Sequence, residues 1–170
     1  MDAEPTRLIV EALKEEEIDL FVTLPEDPTA SLTRAIQADP YFTCIAVATE
    51  GDGIALCAGA SLGGRRNVFV TGVAGLLQGA LALTHMGPQY GIPIFIMASY
   101  RGDLGDRSGI SGSKLQVFRQ VGEPFLQALR LPYRVVDQRS TLKRIIRDAH
   151  FSCVTSDIPV VLLLTGEVLW

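Results

Sequence analysis

Glu50 is the residue whose type and position are best suited to chemistry. It follows the apolar run of residues 43–48 and precedes a segment of mostly small residues, 51–64. A carboxylate held between a buried strand and such a helix loses much of its hydration, which favours sharing a proton with a basic ligand nitrogen. The structural alternative is that Glu50 only stabilises the positive end of the helix that follows it.

Three other predicted strand ends carry candidate site residues. In an open α/β sheet, ligands bind beyond the carboxyl ends of the strands. The first strand ends at Leu24-Pro25-Glu26-Asp27, the third at Gly72-Val73-Ala74-Gly75 and the fourth at Tyr100-Arg101-Gly102. Arg101 and Arg107 are candidates for holding an anion, because a guanidinium pairs well with oxyanions. For Arg107, a solvated loop charge is an equally good interpretation.

Alternation of strand-like and helix-like segments indicates which elements position these residues. The predicted strands are apolar on both faces, as in a covered parallel sheet: 18–24, 43–48, 67–71, 93–99, 133–136 and 160–165. The predicted helices lie between them: 5–17, 28–38, 51–64, 74–90, 116–129 and 141–156. This order predicts a doubly wound, mostly parallel six-stranded α/β sheet with helices on both faces, formed by residues 1–170 as one domain.

Residues 100–114 follow neither the two-residue period of a strand nor the 3.6-residue period of a helix. This stretch, YRGDLGDRSGISGSK, is rich in Gly, Ser, Asp and Arg. It predicts a long mobile loop, and loops of that length are often functional.

Composition excludes several classes of function. The 170 residues are 48% hydrophobic and carry a net charge of -4, without a basic face of the kind that binds nucleic acid. No apolar run approaches the ~20 residues of a membrane span. The N-terminus is acidic, unlike a secretory signal, and the three cysteines are scattered. We therefore expect a cytoplasmic protein with reduced thiols and with no nucleic-acid or membrane partner.

Other familiar catalytic patterns are missing or weak. His85 and His150 are the only histidines, and neither belongs to a Ser-His-Asp or Cys-His arrangement that the sequence supports. We expect each of them to be satisfied by a partner or to face solvent. The glycine-rich segments do not form G-x-G-x-x-G after the first strand, which argues against a dinucleotide loop.

Four segments resemble a known family. Residues 48–60, ATEGDGIALCAGA, are similar to the Glu-containing motif in the pyrimidine-binding domains of thiamine-diphosphate enzymes. The likeness is greatest to the sulfopyruvate and phosphonopyruvate decarboxylase family. It continues through residues 71–78, 100–105 and 131–135, in an order that covers about residues 5–165.

The resemblance implies a split 2-oxo acid decarboxylase, a carboxy-lyase that is active only with a second subunit. Glu50 would activate thiamine diphosphate by contacting its aminopyrimidine ring. A separate diphosphate-binding beta subunit would supply most of the ligands of the Mg²⁺ ion. The two chains would form a dimer of heterodimers. Arg101 and Arg107 would bind a small 2-oxo acid. The remaining residues implied near the cofactor are Pro25, Gly72, Val73, Ala74, Gly75 and Gln78.

The chain also departs from that family. The family usually has Gln-Asn before a Ser-Gly, where this chain has Gly72-Val73, and a histidine that the family carries about ten residues after its Arg-Gly is absent. Gly51-Asp52-Gly53 is not expected to bind metal, because no asparagine follows at the family's spacing. Two alternatives stay open. One is a thiamine-diphosphate-dependent carboligase or synthase subunit. The other is a non-catalytic α/β partner-binding module, which Gly72-Val73 favours and Glu50 opposes.

Overall fold

The chain forms one six-stranded parallel sheet. A computed structural model describes residues 3–102 and 112–169. Its strands are β1 Leu20–Thr23, β2 Thr43–Ala46, β3 Asn67–Gly72, β4 Phe95–Ser99, β5 Tyr133–Val136 and β6 Val160–Leu164. They lie in the order β2-β1-β3-β4-β6-β5, and every neighbouring pair is parallel. The predicted sheet and all six predicted strands are confirmed.

Helices cover both faces of this sheet, as predicted. The α-helices are α1 Ala3–Glu15, α2 Ala30–Ala38, α3 Glu50–Leu62, α4 Val73–Gln78, α5 Ala80–Thr84, α6 Gly112–Ala128, α7 Leu142–Ser156 and α8 Gly166–Leu169. Two single turns of 3₁₀-helix, Asp27–Thr29 and Arg139–Thr141, precede α2 and α7.

Each face of the sheet has its own apolar core. Leu13, Ile36 and Ile146 bring α1, α2 and α7 onto one face. Ile54 and Leu76 bring α3 and α4 onto the other. Because successive strand residues point to opposite faces, a strand covered on both sides must be apolar throughout, which explains the unbroken apolar runs in the sequence.

The direction of winding reverses between β1 and β3. The chain leaves β1 through α2 on one face and returns from β2 to β3 through α3 on the other. A crevice forms at such a switch point, at the carboxyl ends of the strands, and is the usual ligand site of open α/β sheets. Glu26 follows β1 at this point, and Gly72 ends β3.

The predicted helix over residues 74–90 is wrong as a single element. The structure divides it into α4, α5 and a π-helical turn, His85–Gln89. Gly79 lies between α4 and α5, and a Cβ there would lie 2.6 Å from Ile54 Cδ1 and 3.2 Å from Glu50 Cβ. Pro88 lies in the π-helical turn, where its missing N–H interrupts α-helical hydrogen bonding.

The predicted loop over residues 100–114 is too long at its C-terminal end, because α6 already begins at Gly112. Residues 103–111 lie outside the described part of the chain. No helix among residues 3–102 and 112–169 is long and apolar enough to cross a membrane.

Candidate active site

Glu50 is the first residue of α3. Thr49 caps the helix: the backbone N–H of Asp52 donates to Thr49 Oγ1 at 3.1 Å, and the Thr49 hydroxyl donates to Asp52 Oδ2 at 2.8 Å. The N-terminal helix backbone is therefore satisfied without the Glu50 side chain. This leaves the Glu50 carboxylate available for another partner.

The Glu50 side chain is buried without a partner. It is 4% exposed, and no hydrogen bond or ion pair joins its carboxylate to any residue within 3–102 and 112–169. Its Oε1 lies 2.5 Å from the position that a Cβ on Gly75 would occupy, so the glycine leaves room for the carboxylate. A buried carboxylate without a donor is costly, and a ligand N–H group would relieve that cost.

A second carboxyl group, on Glu26, lies at the same edge of the sheet. Its Oε2 is 2.5 Å from the position of a Cβ on Gly72, and Ser99 Oγ is 3.3 Å from that position. Gly72 and Ser99 are paired across β3 and β4. Within the described residues, Glu26 Oε1 is buried and has no hydrogen-bond partner.

Burial raises the pKa of the Glu26 carboxyl above its ordinary value. The charges of Asp27 and Glu50 act in the same direction, whereas the Ser99 hydroxyl and the Arg101 guanidinium stabilise the charged form and oppose the rise. Glu26 and Glu50 are thus close enough to interact electrostatically. Pairs of carboxyl groups in unlike environments are common where proteins handle protons.

The turn from β3 into α4 runs between the two carboxyl groups. Gly72 faces Glu26, and Gly75 faces both Glu50 and the Thr71 hydroxyl. Neither position accepts a side chain without displacing a carboxylate, so the two glycines create the space in which both acids are held. The two carboxyl groups can therefore accept hydrogen bonds on two sides of the turn from β3 into α4.

The other predicted site residues lie around this turn with differing exposure. Pro25, Ala74 and Gln78 are exposed, so each is accessible to a ligand or to another chain. The Val73 side chain is buried, with its Cγ1 2.9 Å from the position of a Cβ on Gly122. Only its backbone therefore remains available to a ligand.

Arg101 lies close enough to Glu26 for its positive charge to oppose part of the rise in the Glu26 pKa. The preceding residue, Tyr100, fixes this position. Its hydroxyl lies 2.9 Å from Glu123 Oε1 on α6, and the Tyr133 hydroxyl donates to Glu123 Oε2 at 3.1 Å. Arg107, the other predicted substrate residue, lies outside the described residues.

Glu26 lies in a strand end that the sequence analysis named, but the sequence analysis gave it no role of its own. A signal was present, since a charged residue stands directly after Pro25 at the end of an apolar strand. Its importance depends on burial by Gly72 and Ser99, which belong to strands far along the chain. Strand-end position alone did not distinguish it from Asp27, which is exposed.

A cavity of about 180 Å³ lies at the opposite edge of the sheet. It is lined by Asn67 and Phe95, at the starts of β3 and β4, and by His150 of α7. His150 Nδ1 lies 2.9 Å from Glu16 Oε2, which confirms that this histidine is satisfied by a partner, and His85 is exposed, as expected. This cavity shares no lining residue with the two-carboxylate site.

Comparison with characterised proteins identifies relatives over almost the whole chain. Sulfopyruvate decarboxylase subunit alpha of Methanococcus maripaludis is 26% identical over 92% of this chain and 91% of its own length. The protein of the same name from Methanothermobacter thermautotrophicus is 25% identical over 79% of each chain. Sulfopyruvate decarboxylase of Methanosarcina acetivorans is 32% identical over 58% of this chain but only 25% of its own length. No family model matches the chain.

These relatives confirm the resemblance expected from the segments around Glu50, Gly72 and Arg101. Two of the three names above denote one subunit of a decarboxylase. This chain is similar, over nine tenths of its length, to the alpha subunit of sulfopyruvate decarboxylase.

Proposed function

We propose that this chain is the pyrimidine-binding subunit of a thiamine-diphosphate-dependent 2-oxo acid decarboxylase, and that it requires a second chain for activity. The observation that carries the proposal is Glu50, a residue that is 4% exposed and whose carboxylate has no hydrogen-bond partner among the described residues. A group in that state needs a donor from outside the chain, and an aminopyrimidine ring is a ligand of suitable chemistry.

The residues around Glu50 fit such a ring. Because Gly75 has no side chain, its backbone lies directly against the carboxylate, and the Thr71 hydroxyl lies beside the same position. Glu50 would hold a proton shared with a ring nitrogen, while the turn from Gly72 to Gly75 would present backbone groups to the ring edge. When bound, thiamine diphosphate supplies the electron-accepting chemistry that removal of carbon dioxide from a 2-oxo acid requires.

Two features support a requirement for a second chain. The relatives are named as alpha subunits, which denotes a partner in those proteins. In this chain, Ala55, Gly59 and Leu62 form an exposed, uncharged line along α3, and Leu81 of the adjacent α5 is 70% exposed. A surface of small and apolar side chains permits close packing of another protein.

We assign the diphosphate and Mg²⁺ to that second chain. Among residues 3–102 and 112–169, no three side chains of the metal-binding types come together. The magnesium ligands of the complex would therefore come from the partner, and this chain would contribute Glu50 and the Gly72–Gly75 turn.

Arg101 is the described cation placed to bind the carboxylate of a 2-oxo acid. It lies close enough to Glu26 for their charges to interact, and it is half-buried. A guanidinium in this position would orient the substrate toward the turn between the two carboxyl groups.

Substitution of Glu50 tests the proposal. In the complex with its second chain, thiamine diphosphate and Mg²⁺, Glu50→Gln is expected to lower the rate of carbon dioxide release by about 100-fold or more, because proton transfer through the carboxylate is lost. Asp52→Asn is the matched control: it removes a carboxylate from the same helical turn, but an exposed one that serves the helix cap.

The expected result is loss of turnover in Glu50→Gln and near-normal turnover in Asp52→Asn, with unchanged circular dichroism in both. Glu50→Gln that retains most of the activity would remove Glu50 from the mechanism. Equal losses in the two variants would assign the effect to the helix N-terminus rather than to the carboxylate.

A further inference from the structure

We propose that the cavity at the amino edge of the sheet is a second ligand site, which takes a small uncharged aromatic molecule with one N–H or O–H donor. The amino edge is the side on which β3 and β4 begin, opposite the turn that holds Glu26 and Glu50. His150 of α7 would accept the hydrogen bond of the ligand. The site lies outside the residues proposed for decarboxylation and is independent of that activity.

The His150 ring is buried and held in one orientation. Its side chain is 6% exposed, its Nδ1 lies 2.9 Å from Glu16 Oε2, and its ring centroid lies 5.7 Å from that of Phe95. Glu16 is fixed in turn, because its backbone carbonyl accepts a hydrogen bond from Arg66 at 2.8 Å. A carboxylate only accepts hydrogen bonds, so in the neutral imidazole Nδ1 carries the proton and Nε2 is left as an acceptor.

The Nε2 atom of His150 opens into the cavity. No residue within 3–102 and 112–169 hydrogen-bonds to it. Asn67 Oδ1, in the same wall, also lacks a partner among those residues but is sealed from solvent, whereas His150 Nε2 is not. The open space that His150 borders is this cavity, so a donor that enters the cavity can reach Nε2.

The size and the apolar part of the lining favour an aromatic ring. Pro93, Phe95, Cys153 and Val154 provide apolar surface. Burial raises the pKa of the Cys153 thiol to about 12, so this group adds no charge. The volume of about 180 Å³ suits one ring with a small substituent, since an apolar cavity of about 150 Å³ binds benzene.

Arg65 and Arg66 also border the cavity, but their charges are already paired. Arg65 Nε and Nη2 each lie 3.1 Å from the Asp19 carboxylate, and Arg66 Nη1 lies 3.2 Å from Glu17 Oε2. An anionic ligand would have to compete with these carboxylates. A neutral ring can instead lie against the apolar stems of the two arginines.

Phenol, toluene and benzoate test the site, because they share one six-membered ring and differ in carrying a hydroxyl, a methyl and a carboxylate. Each is titrated into the ¹⁵N-labelled full chain at about pH 8, where an imidazole in water is neutral. Backbone amide shifts record both the affinity and the place of binding. Phenol should shift the amides of Asn67, Phe95 and Val154 saturably and leave those of Glu50 and Gly75 unchanged.

Two variants separate the hydrogen bond from the space. His150→Phe keeps a ring and removes the acceptor, so it should lower the ratio of phenol affinity to toluene affinity by about fivefold, the equivalent of one hydrogen bond. Val154→Phe places a larger side chain at a half-exposed position of the lining and should abolish saturable binding of both molecules. Val117→Phe, at an exposed position of α6 outside the cavity, is the matched control and should change neither affinity.

A phenol-to-toluene ratio that is unchanged in a folded His150→Phe would show that His150 does not bind the donor. Tighter binding of benzoate than of phenol would refute the uncharged class of ligand. Absence of saturable shifts with both neutral rings, or binding that survives in Val154→Phe, would overturn the site itself, and this last arm stands even if His150→Phe does not fold. None of these results bears on carbon dioxide release, so the proposed decarboxylase is tested separately.

Discussion

Glu26 and Glu50 bring two acidic groups near each other at one edge of the sheet. Both lose hydration there, Glu50 is 4% exposed, and Glu26 Oε1 is buried without a partner among the described residues. Two desolvated carboxyl groups in proximity reduce the stability of the folded state. Proteins accept such costs mainly where the groups serve a reaction or a ligand.

The pH dependence of the free energy of unfolding measures how much the buried Glu26 carboxyl destabilises the folded state. Because burial raises the Glu26 pKa, the folded state binds the proton more tightly than the unfolded chain does. The contribution of this group to stability is therefore greatest below its unfolded pKa of about 4.3, and it is lost as the pH rises through the folded pKa. Glu26→Gln should consequently unfold at a higher temperature than wild type at neutral pH, and the difference should shrink as the pH falls.

Calorimetric or circular-dichroism melting curves across that pH range measure the difference. Each kcal/mol corresponds to a shift of about 2–4 °C for a chain of this size. Asp27→Asn controls for net charge and should change little, because Asp27 is exposed. A Glu26→Gln variant that is less stable than wild type at neutral pH would show that the Glu26 charge is well solvated or well paired.

Residue-scale prediction from the sequence succeeded for burial of Glu50 and failed for Glu26. Glu50 stands between an apolar strand and a small-residue helix, and both signals are local. The state of Glu26 is set by Gly72 and Ser99, which approach it through the pairing of β1 with β3 and of β3 with β4. Non-local packing of this kind leaves no pattern near residue 26.

At the scale of elements, the site depends on how closely α4 approaches α3. Gly75 and Gly79 are the contact points: Gly75 lies against the Glu50 carboxylate, and Gly79 against Ile54 and the Glu50 Cβ. Glycine at these positions lets the helix pass over the first turn of α3.

Substitution of Gly75 by alanine should disable the site. The added Cβ would lie 2.5 Å from Glu50 Oε1, so the carboxylate or the helix must shift. We expect activity of the complex to fall by about tenfold or more, since a misplaced catalytic group loses much of its effect. Rates of carbon dioxide release, with circular dichroism as the check on folding, measure this outcome.

Gly59→Ala is the matched control on α3. Nothing lies within 4 Å of a Cβ at that position. As the chain alone, the variant should keep its fold and gain about 0.5–1 kcal/mol in stability, because alanine is preferred to glycine inside an exposed helix. Full activity in Gly75→Ala would contradict the close packing of α4 on the Glu50 carboxylate.

Element-scale prediction succeeded for the strands and for most helices, because their periodicity is local. It failed at residues 74–90, where the apolar pattern continues through a break. Gly79 is compatible with an uninterrupted helix in sequence terms, and no local pattern marks the break there. The N-terminal end of α6 was also placed too late, since Gly and Ser at 112–113 favour a loop by propensity.

At the scale of the whole molecule, the catalytic site as proposed is incomplete in one chain. Glu50 and Glu26 lie at the carboxyl edge of the sheet, and the exposed line of Ala55, Gly59 and Leu62 runs along α3 away from it. A second chain packed against this line would cover the helix that begins at Glu50. Both the relatives' names and this surface thus support the proposed second chain.

The overall topology was predictable from alternation of strands and helices, because right-handed crossovers leave few ways to arrange a parallel sheet. The identity of the second chain could not be predicted from this sequence, because an interface is specified by two sequences. In the proposed complex, the substrate site likewise takes residues from both chains.

Calorimetric titration of thiamine diphosphate with Mg²⁺ tests the central claim most directly. The cofactor is titrated into this chain alone, into its second chain alone and into the mixture, and then into a mixture that contains Glu50→Gln. Saturable binding in the mixture, much weaker binding to this chain alone and a loss of affinity with Glu50→Gln are the predicted results. Tight binding to this chain alone, or no binding to a mixture whose two chains associate, would contradict a cofactor site shared between the chains.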